Sequence, residues 1–285
     1  MKIYYHNDAD GRCGGAIVYR LAPRRISDPI ELIEIDYKDE IDVGAIRPKE
    51  EIVIVDFSFK PEVMAEVLDK TTYVTWIDHH KTAFEYDYGI CLEGLRDNRY
   101  SGCELAWMFY HDLSPEAGKH LEEQIPEAVL LIGDRDKWAW KYGERTAEFN
   151  MGLGVYNHHA DDDIWPILFG DGATDLVEEM IHAGYFCIRF RDNFCRDYAD
   201  SYGFEASFEG YRCFALGLNM FGSEAFGRRM KGYDICLSFE FSGQSWTVGL
   251  YSEKVDVSEI AKRYGGGGHR GAAGFVCDEL PFGAK

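Results

Sequence analysis

Three short apolar segments of this chain each run directly into acidic or imidazole side chains. Their length and β-branched composition are typical of strands that are buried on both faces of a parallel sheet. Because the carboxyl ends of parallel strands meet at one edge, where open α/β sheets bind ligands, the sequence predicts a polar site at that edge. The three junctions are residues 3–11 (IYYHNDADG), 52–56 (IVIVD) and 72–80 (TYVTWIDHH).

The segments between these strands have helical character. Residues 12–21 are predicted to be helical after their glycines, and Pro61 suits the first turn of a helix over 61–69. A further strand is predicted over 30–36. Strands that alternate with helices indicate βαβ units, so the predicted fold class is α/β, with a parallel sheet in the N-terminal domain.

The predicted secondary structure changes from mainly helix to mainly strand near residue 200. A long helix is predicted over 176–198. The strands predicted beyond it are 211–218, 235–241 and 245–251. A chain of 285 residues is long enough for two domains. The expected division is an N-terminal domain over 1–190, a linker over 191–203 and a smaller α/β domain over 204–285.

The composition is that of a well-packed globular protein, with 46% hydrophobic and 15% aromatic residues. No apolar run approaches the ~20 residues needed to cross a bilayer, and the N-terminus lacks a signal-peptide core, so no membrane partner is expected. The eight cysteines are scattered and form no CxxC pair. This pattern favours reduced thiols and a cytoplasmic location.

The formal net charge of −20 restricts the class of substrate. Long or duplex nucleic acids need many Lys and Arg side chains to replace their condensed counterions, so they are not expected partners. A short nucleotide substrate can still bind where metal ions meet its charge. Most of the acidic residues are expected to form solvated surface.

The acids and imidazoles at the strand ends predict a metal site. If these carboxylates share one partly desolvated site, their like charges raise one another's pKa. Divalent cations bound between them would relieve this repulsion. Mixed imidazole and carboxylate ligands without thiolate favour Mn²⁺, with Mg²⁺ or Co²⁺ as alternatives and zinc or iron less well suited. The ligands suffice for two ions about 3.5–4 Å apart, an arrangement that activates water for displacement at phosphorus.

A second motif lies near the C-terminus, at residues 264–275 (YGGGGHRGAAGF). It follows a helix that Asp256 would cap. A glycine run of this kind brings backbone amides close to phosphate or carboxylate oxygens, and His269 and Arg270 add donors. Composition alone also fits a flexible loop, whereas the small residues over 271–274 favour a tightly packed one.

Together these motifs resemble the DHH phosphoesterase superfamily with its DHH-associated C-terminal domain, including nanoRNase-like and RecJ-like members. The matching motifs are His6-x-Asp8-x-Asp10-Gly11, Asp56, Asp78-His79-His80, Asp134 and the GGGHxxAAG run at 266–274. The resemblance implies a manganese-dependent phosphoesterase whose site lies in a cleft between two α/β domains. Members of the superfamily include single-strand exonucleases, oligoribonucleases, cyclic-dinucleotide phosphodiesterases and exopolyphosphatases.

The resemblance also implies roles for individual residues. The implied metal ligands are His6, Asp8 and Asp56 for one ion and Asp10, Asp56, His79 and Asp134 for the other, with Asp56 as the bridge. The implied catalytic residues are Asp78, which would support the site, and His80, which would contact the substrate phosphate or assist the leaving group. The implied substrate-binding residues are Gly266, Gly267, Gly268 and His269, with Arg270 beside them.

Two positions depart from the pattern of the family. Asp136 lies close to Asp134 in a Gly-Asp-Arg-Asp-Lys-Trp segment, which differs from the Asp-Thr-Gly form common in nanoRNases, so Asp136 stays open as the alternative ligand. Tyr251 stands in a Leu-Tyr-Ser segment where many nanoRNase-type members have Leu-Arg-Ser. This second difference weakens the specific nanoRNase assignment.

The expected function is hydrolysis of a terminal phosphodiester bond in a short oligonucleotide or dinucleotide, by water activated between two metal ions. The alternatives are a phosphomonoesterase acting on 3′-phosphoadenosine 5′-phosphate, an exopolyphosphatase and a catalytically silent nucleotide sensor. Polyphosphate would need a cationic channel, which the net charge disfavours. The sequence leaves the oligomeric state open, with a homodimer as one option.

Overall fold

The computed structural model of the protein describes residues 1–23, 29–117 and 120–284. The chain forms two compact units, Met1–Cys187 and Ile188–Lys285. The division falls within one 30-residue helix, Ala173–Tyr202, so the segment expected to be a linker is helical up to Tyr202. This helix contains no proline, which would have broken it, so it continues past the domain boundary expected at residue 190.

The first unit is built around a four-stranded parallel sheet, as predicted. Its strands are β1 (Lys2–His6), β2 (Glu31–Ile35), β3 (Ile52–Val55) and β4 (Val74–Ile77), in the order β2-β1-β3-β4. Tyr5 pairs with Val55, and Val55 pairs with Ile77. The carboxyl ends of three neighbouring strands are therefore level, and the acids and imidazoles that follow them lie at one edge of the sheet.

Helices pack on both faces of this sheet. In the first unit they are α1 (Ala9–Leu21), α2 (Pro61–Lys70), α3 (Thr82–Glu85), α4 (Gly102–Tyr110), α5 (Glu127–Asp136), α6 (Glu144–Leu153), α7 (Ile164–Leu168) and the N-terminal half of α8 (Ala173–Tyr202). Within the described ranges, no helix is both long enough and apolar enough to span a membrane.

Strand β3 is apolar and buried along its whole length because both faces of the sheet are covered there. Ile3, Tyr5 and Val53 belong to a core that they share with α1, α4 and α5. Tyr4 and Ile54 belong to a second core on the other face, together with residues of α2. This alternation fixes the register of the strands, since a slip of one residue would exchange the two faces.

The second unit contains a mixed sheet. Its strands are β5 (Phe204–Phe208), β6 (Tyr211–Leu216), β7 (Ile235–Phe241), β8 (Trp246–Tyr251), β9 (Gly267–His269) and β10 (Ala272–Cys277), in the order β5-β6-β7-β8-β10-β9. Strands β6 and β7 are parallel, and the other neighbouring pairs are antiparallel. Helices α9 (Arg229–Gly232) and α10 (Val257–Arg263) accompany the sheet. The prediction of a smaller α/β domain is confirmed.

Two glycines allow α6 and α8 to cross at close range. A Cβ atom on Gly184 would lie 1.7 Å from the carbonyl oxygen of Glu148, and one on Gly152 would lie 1.8 Å from that of Met180. Both clashes are with backbone atoms, which no side-chain rotation relieves. A side chain at either position would therefore push the two helices apart.

We expect Gly184→Ala to lower the free energy of unfolding by about 2–3 kcal/mol, because the added methyl group overpacks the crossing. Helix propensity alone predicts the opposite sign, a gain of about 1 kcal/mol. Urea unfolding followed by circular dichroism measures the difference. The neighbouring exposed residue Tyr185 supplies the control, since Tyr185→Ala should change stability by no more than about 0.5 kcal/mol. A Gly184→Ala protein as stable as the wild type would contradict this account of the crossing.

Candidate metal centre

Asp56 is a buried acid at the centre of the site. It directly follows β3, is fully buried and has a left-handed backbone with a φ of 56°. Neither of its carboxylate oxygens has a hydrogen-bond partner in the part of the chain that the structure describes. A buried carboxylate without partners is costly unless a cation binds it, so this environment fits a metal ligand.

The start of α4 packs directly against this carboxylate and holds a second acid beside it. A Cβ atom on Gly102 would lie 2.5 Å from the Cβ atom of Asp56, so the close approach depends on glycine. Asp10 accepts hydrogen bonds from Ser101 Oγ at 2.8 Å and from the backbone N–H groups of Gly102 at 2.7 Å and Cys103 at 3.0 Å. These free N–H groups and the dipole of α4 stabilise negative charge at this point.

One ring nitrogen of His79 is surrounded by three carboxylates. Its Nε2 atom lies 3.1 Å from Asp56 Oδ1, 3.3 Å from Asp136 Oδ2 and 3.8 Å from Asp10 Oδ2. Within the described ranges this buried nitrogen also has no hydrogen-bond partner. Unpaired donor and acceptor atoms that converge in a buried place are the atoms that a metal ion would join.

The protonation of these groups reflects their burial and their shared negative charge. Burial, followed by the charges of Asp10 and Asp8, raises the pKa of Asp56 well above its ordinary value. Burial and the same neighbouring charges raise the pKa of Asp136 to about 8. Burial lowers the pKa of His79. Without a cation, Asp56, Asp136 and His79 therefore favour their neutral forms, and a divalent cation would restore the ionised carboxylates.

His6 and Asp8 form the other side of the site. His6 Nδ1 lies 2.7 Å from Asp8 Oδ2 and 3.9 Å from Asp56 Oδ2. The second oxygen of Asp8 caps α1 by accepting a hydrogen bond from the N–H of Gly11 at 2.9 Å. A Cβ atom on Gly11 would lie 2.2 Å from the carbonyl oxygen of His6, which explains the glycine that follows the acids.

Asp78 orients the two histidines that follow it. It is fully buried and accepts hydrogen bonds from the backbone N–H groups of His79 at 2.7 Å and His80 at 3.1 Å. It also pairs with His80 Nδ1 at 2.8 Å and accepts a hydrogen bond from the hydroxyl of Ser58. Burial lowers the pKa of His80, but the hydrogen bond and charge of Asp78 outweigh burial and raise it overall. Asp78 therefore acts through the histidines, as metal-site carboxylates commonly do.

The structure places Asp134 outside this cluster, which corrects the implied ligand set. Its buried carboxylate accepts hydrogen bonds from the backbone N–H groups of Lys141 at 2.8 Å and Tyr142 at 3.2 Å, and from the hydroxyl of Thr146. The carboxylate is thus already engaged by the turn that follows α5. Asp136, at the end of the same helix, is the acid that reaches His79.

The remaining implied ligands are brought together. Among the residues that the structure describes, three sets of side chains have ligand atoms within 4.8 Å of one another: His6, Asp8 and Asp56; Asp56, His79 and His80; and Asp10, His79 and Asp136. Asp56 belongs to two of the sets, and His79 also belongs to two. Shared ligands of this kind fit two adjacent cations bridged by a carboxylate.

Several residues around the site were not anticipated from the sequence. Tyr37, which lies just beyond β2, is half exposed, and its ring centroid is 4.7 Å from that of Phe57 and 5.3 Å from that of His6. Its position after a strand of the same sheet is the signal that could have identified it. Ser101 belongs to a Ser-x-x-Glu capping box, which marks the start of α4 but not its contact with Asp10.

The glycine-rich motif of the second unit forms a hairpin. Strand β9 pairs with β10, so that Gly267 faces Gly274 and His269 faces Ala272. A Cβ atom on Gly266 would lie 2.0 Å from the carbonyl oxygen of Gly274, and Gly268 has a φ of 136°. These glycines serve tight backbone packing, while His269 and Arg270 are exposed. The role of Gly266, Gly267, Gly268, His269 and Arg270 in substrate binding stays a prediction.

Comparison with protein families matches residues 1–132 to the family described as "DHH family, N-terminal domain". An uncharacterized protein of Acanthamoeba polyphaga mimivirus is 24% identical over 245 residues, covering 79% of this chain and 52% of the viral protein. The chain thus spans about half the length of the curated relative that it matches.

Solved structures share the fold at low sequence identity. The DHH domain of a protein described as a member of a family of ribosomal proteins aligns with a TM-score of 0.58 and 14% identity, over 97% of this chain and 82% of that chain. The exonuclease RecJ bound to manganese aligns with a TM-score of 0.53 and 16% identity, over 98% and 86%. The pGpG-specific phosphodiesterase PggH of Vibrio cholerae aligns with a TM-score of 0.53 and 13% identity, over 97% and 93%.

The family match covers the strands that carry the acids and imidazoles, and the structural likeness extends over nearly the whole chain. Residues 1–132 match the model of the DHH family N-terminal domain, and the fold of the chain is similar to those of RecJ and PggH.

Proposed function

We propose that the protein is a metal-dependent phosphoesterase that hydrolyses the terminal phosphodiester bond of short oligonucleotides or dinucleotides. The observation that carries the proposal is the buried carboxylate of Asp56, whose oxygens have no hydrogen-bond partner in the described part of the chain. Imidazoles and carboxylates from two other strands and two helices surround it. A site of this composition has the ligands to hold divalent cations.

The proposed division of labour follows from the geometry. His6, Asp8 and Asp56 would hold one cation; Asp10, Asp56, His79 and Asp136 would hold the second. When bound, such cations polarise a phosphoryl oxygen and lower the pKa of a bound water. Asp78 fixes His80 through Nδ1 and leaves Nε2 as the ring nitrogen that can contact the substrate phosphate or leaving oxygen.

Manganese is the cation that we propose, with Mg²⁺ or Co²⁺ as alternatives. The donor set combines imidazole nitrogen with carboxylate oxygen, which suits borderline-to-hard divalent ions better than thiophilic ones. Cys13 and Cys103 lie near Asp10 but are fully buried, and burial raises the pKa of both thiols. Neither thiol is therefore poised to act as a thiolate ligand.

The charge of the chain supports a small substrate. At a net charge of −20, a long polyanion would be repelled unless a basic surface compensated for it. Two proteins of the same fold are named as a pGpG-specific phosphodiesterase and an exonuclease, which is consistent with phosphodiester chemistry on this scaffold. We infer a terminal phosphodiester of a dinucleotide or short oligonucleotide as the substrate.

The first prediction concerns Asp56→Asn, which keeps the shape of the side chain and tolerates the left-handed backbone but removes the charge. In the wild type, Mn²⁺ at 100 times its Kd should add about 2.7 kcal/mol of stability. In the variant this gain should largely disappear and turnover should fall by roughly 100-fold or more. Calorimetric melting with and without Mn²⁺, together with a turnover assay, measures both effects.

The metal-free Asp56→Asn protein should be about as stable as metal-free wild type, because the raised pKa of Asp56 keeps its side chain neutral without a cation and the amide is a neutral group of the same size. Asp69→Asn, an exposed acid on α2, is the matched control and should leave the effect of Mn²⁺ unchanged. Full turnover and an unchanged Mn²⁺-dependent melting shift in Asp56→Asn would exclude the proposed site.

The second prediction separates Asp136 from Asp134. Asp136→Asn should weaken Mn²⁺ binding by roughly 10- to 100-fold, measured by isothermal titration calorimetry. Asp134→Asn should retain Mn²⁺ binding but lower stability by about 1–3 kcal/mol, since its amide NH₂ would face the backbone donors of Lys141 or Tyr142. The reverse outcome, with metal binding lost in Asp134→Asn alone, would restore the ligand set implied by the sequence.

The third prediction concerns substrate class. With Mn²⁺ bound, kcat/KM for a dinucleotide should exceed that for long single-stranded DNA or polyphosphate by at least about tenfold, because each added negative charge meets the acidic surface. A strong preference for 3′-phosphoadenosine 5′-phosphate would instead indicate a phosphomonoesterase. Nucleotide binding without any turnover would indicate a sensor.

A further inference from the structure

The turn that follows α5 carries two tryptophans next to a candidate metal ligand. The helix ends at Asp136, and Trp138 and Trp140 follow within four residues. Trp138 is 55% exposed, which is unusual for the largest apolar side chain. Neither tryptophan belongs to the ligand sets described above, so the turn has a feature that metal binding does not explain.

Arg135 and the two indole rings form one cluster of cation–π and edge-to-face contacts. The guanidinium carbon of Arg135 lies 4.1 Å from the ring centroid of Trp138 and 5.1 Å from that of Trp140. The two rings meet edge to face, with centroids 5.0 Å apart and planes at 78°. The guanidinium covers one face of the Trp138 ring. Even with these contacts Trp138 is 55% exposed, so part of its ring remains accessible.

Both tryptophans adopt a backbone conformation that L-residues other than glycine avoid. Each has a φ of 54°, in the left-handed region, at a cost of roughly 1–2 kcal/mol per residue. Bulky residues keep such conformations only where the surrounding structure imposes them, and they cluster at functional sites. Glycine would remove this cost, so the strain indicates that the indole rings themselves serve a purpose.

The structure that imposes this conformation includes Asp134. Its carboxylate accepts hydrogen bonds from Lys141 and Tyr142 at the far end of the turn, and its carbonyl oxygen accepts one from the N–H of Ala139 at 3.0 Å. The N–H of Trp138 donates to the carbonyl oxygen of Arg135 at 3.1 Å. The turn is therefore fixed at both ends, and the Trp138 ring is held in place before any ligand binds.

We propose that Trp138, backed by Arg135, is a stacking platform for the nucleobase next to the scissile phosphate. This inference rests on the proposed function and names the part of the substrate that this turn would bind. Trp138 is the second residue after Asp136, so their Cα atoms are at most about 7 Å apart. A base attached through its sugar to a phosphate at the metal centre lies within reach of the ring.

Stacking suits this protein on physical grounds. Every base has a π-face, so an aromatic platform binds bases with little sequence preference. A neutral ring also avoids the repulsion that acidic residues would impose on phosphate. The guanidinium beneath the ring adds positive charge close to the substrate without placing a basic groove on the surface.

The test compares a dinucleotide with an abasic counterpart, in which hydrogen replaces the base next to the scissile bond. For wild type, kcat/KM should be higher with the base present. In Trp138→Ala the ratio of the two values should fall roughly 5- to 100-fold, and Trp138→Phe should recover most of it. Tyr73→Ala removes a similarly exposed aromatic side chain beside the amino-terminal end of β4 and should leave the ratio unchanged.

An unchanged ratio in Trp138→Ala would overturn the platform. An equal loss on both substrates would also overturn it, since that would mean that the residue only supports the metal-binding turn. If the wild type cleaves neither substrate, the proposed function fails, and calorimetric titration decides the inference separately. Adenosine 5′-monophosphate should then bind wild type more tightly than ribose 5-phosphate does, and Trp138→Ala should lose that difference; equal affinities in wild type would exclude stacking.

Discussion

The first unit depends on one electrostatic constraint, which is a buried carboxylate with no hydrogen-bond partner among the residues that the structure describes. Asp56 is fully buried in a left-handed conformation at the end of the central strand β3. The basic side chains beside it are imidazoles that form no hydrogen bond with it in the described part of the chain, and its other charged neighbours are acids that raise its pKa. An arrangement of this kind costs free energy in the absence of a cation. The cost becomes useful once a divalent cation binds, because unpaired oxygens are then ready-made ligands and binding energy stabilises the fold.

The parallel sheet explains why such distant residues meet, and this part could be predicted from the sequence. Buried parallel strands are apolar along their whole length, so an acid or imidazole at the end of each marks the carboxyl edge. The order β2-β1-β3-β4 then makes β1, β3 and β4 neighbours, which brings His6, Asp56 and His79 together. The hydrophobic pattern and the residue types could not identify which acid of α5 joins these three side chains at the site. Asp134 and Asp136 are two positions apart on α5, and about 200° of rotation therefore places them on different sides of the helix. Only the contacts of the following turn decide which of them faces the histidines.

The second unit shows a different limit of sequence reasoning. Strand β10 begins with Ala272-Ala273-Gly274 and pairs with the glycines of β9, a combination with weak β-propensity that resembles a loop in sequence. The structure pairs these residues because small side chains allow two backbones to approach where larger ones would clash. Pairing of β10 with both β9 and β8 thus overrides local preference. The unit boundary within α8 could not be located from the sequence either, because no proline interrupts the helix there.

The turn after α5 connects Asp134 with the chemistry of the site. Asp134 lies outside the groups of converging ligand atoms in the described part of the chain, yet its carboxylate fixes the turn that carries Trp138, while Asp136 on the same helix reaches His79. Metal coordination and the stacking surface therefore share one rigid element, and a shift of that element would disturb both. Separate binding of the phosphate and the base also explains how an acidic chain could bind an anionic substrate. Cations held by buried acids can meet the phosphate, and an aromatic ring can hold the base, so that a net charge of −20 excludes long polyanions without excluding a nucleotide.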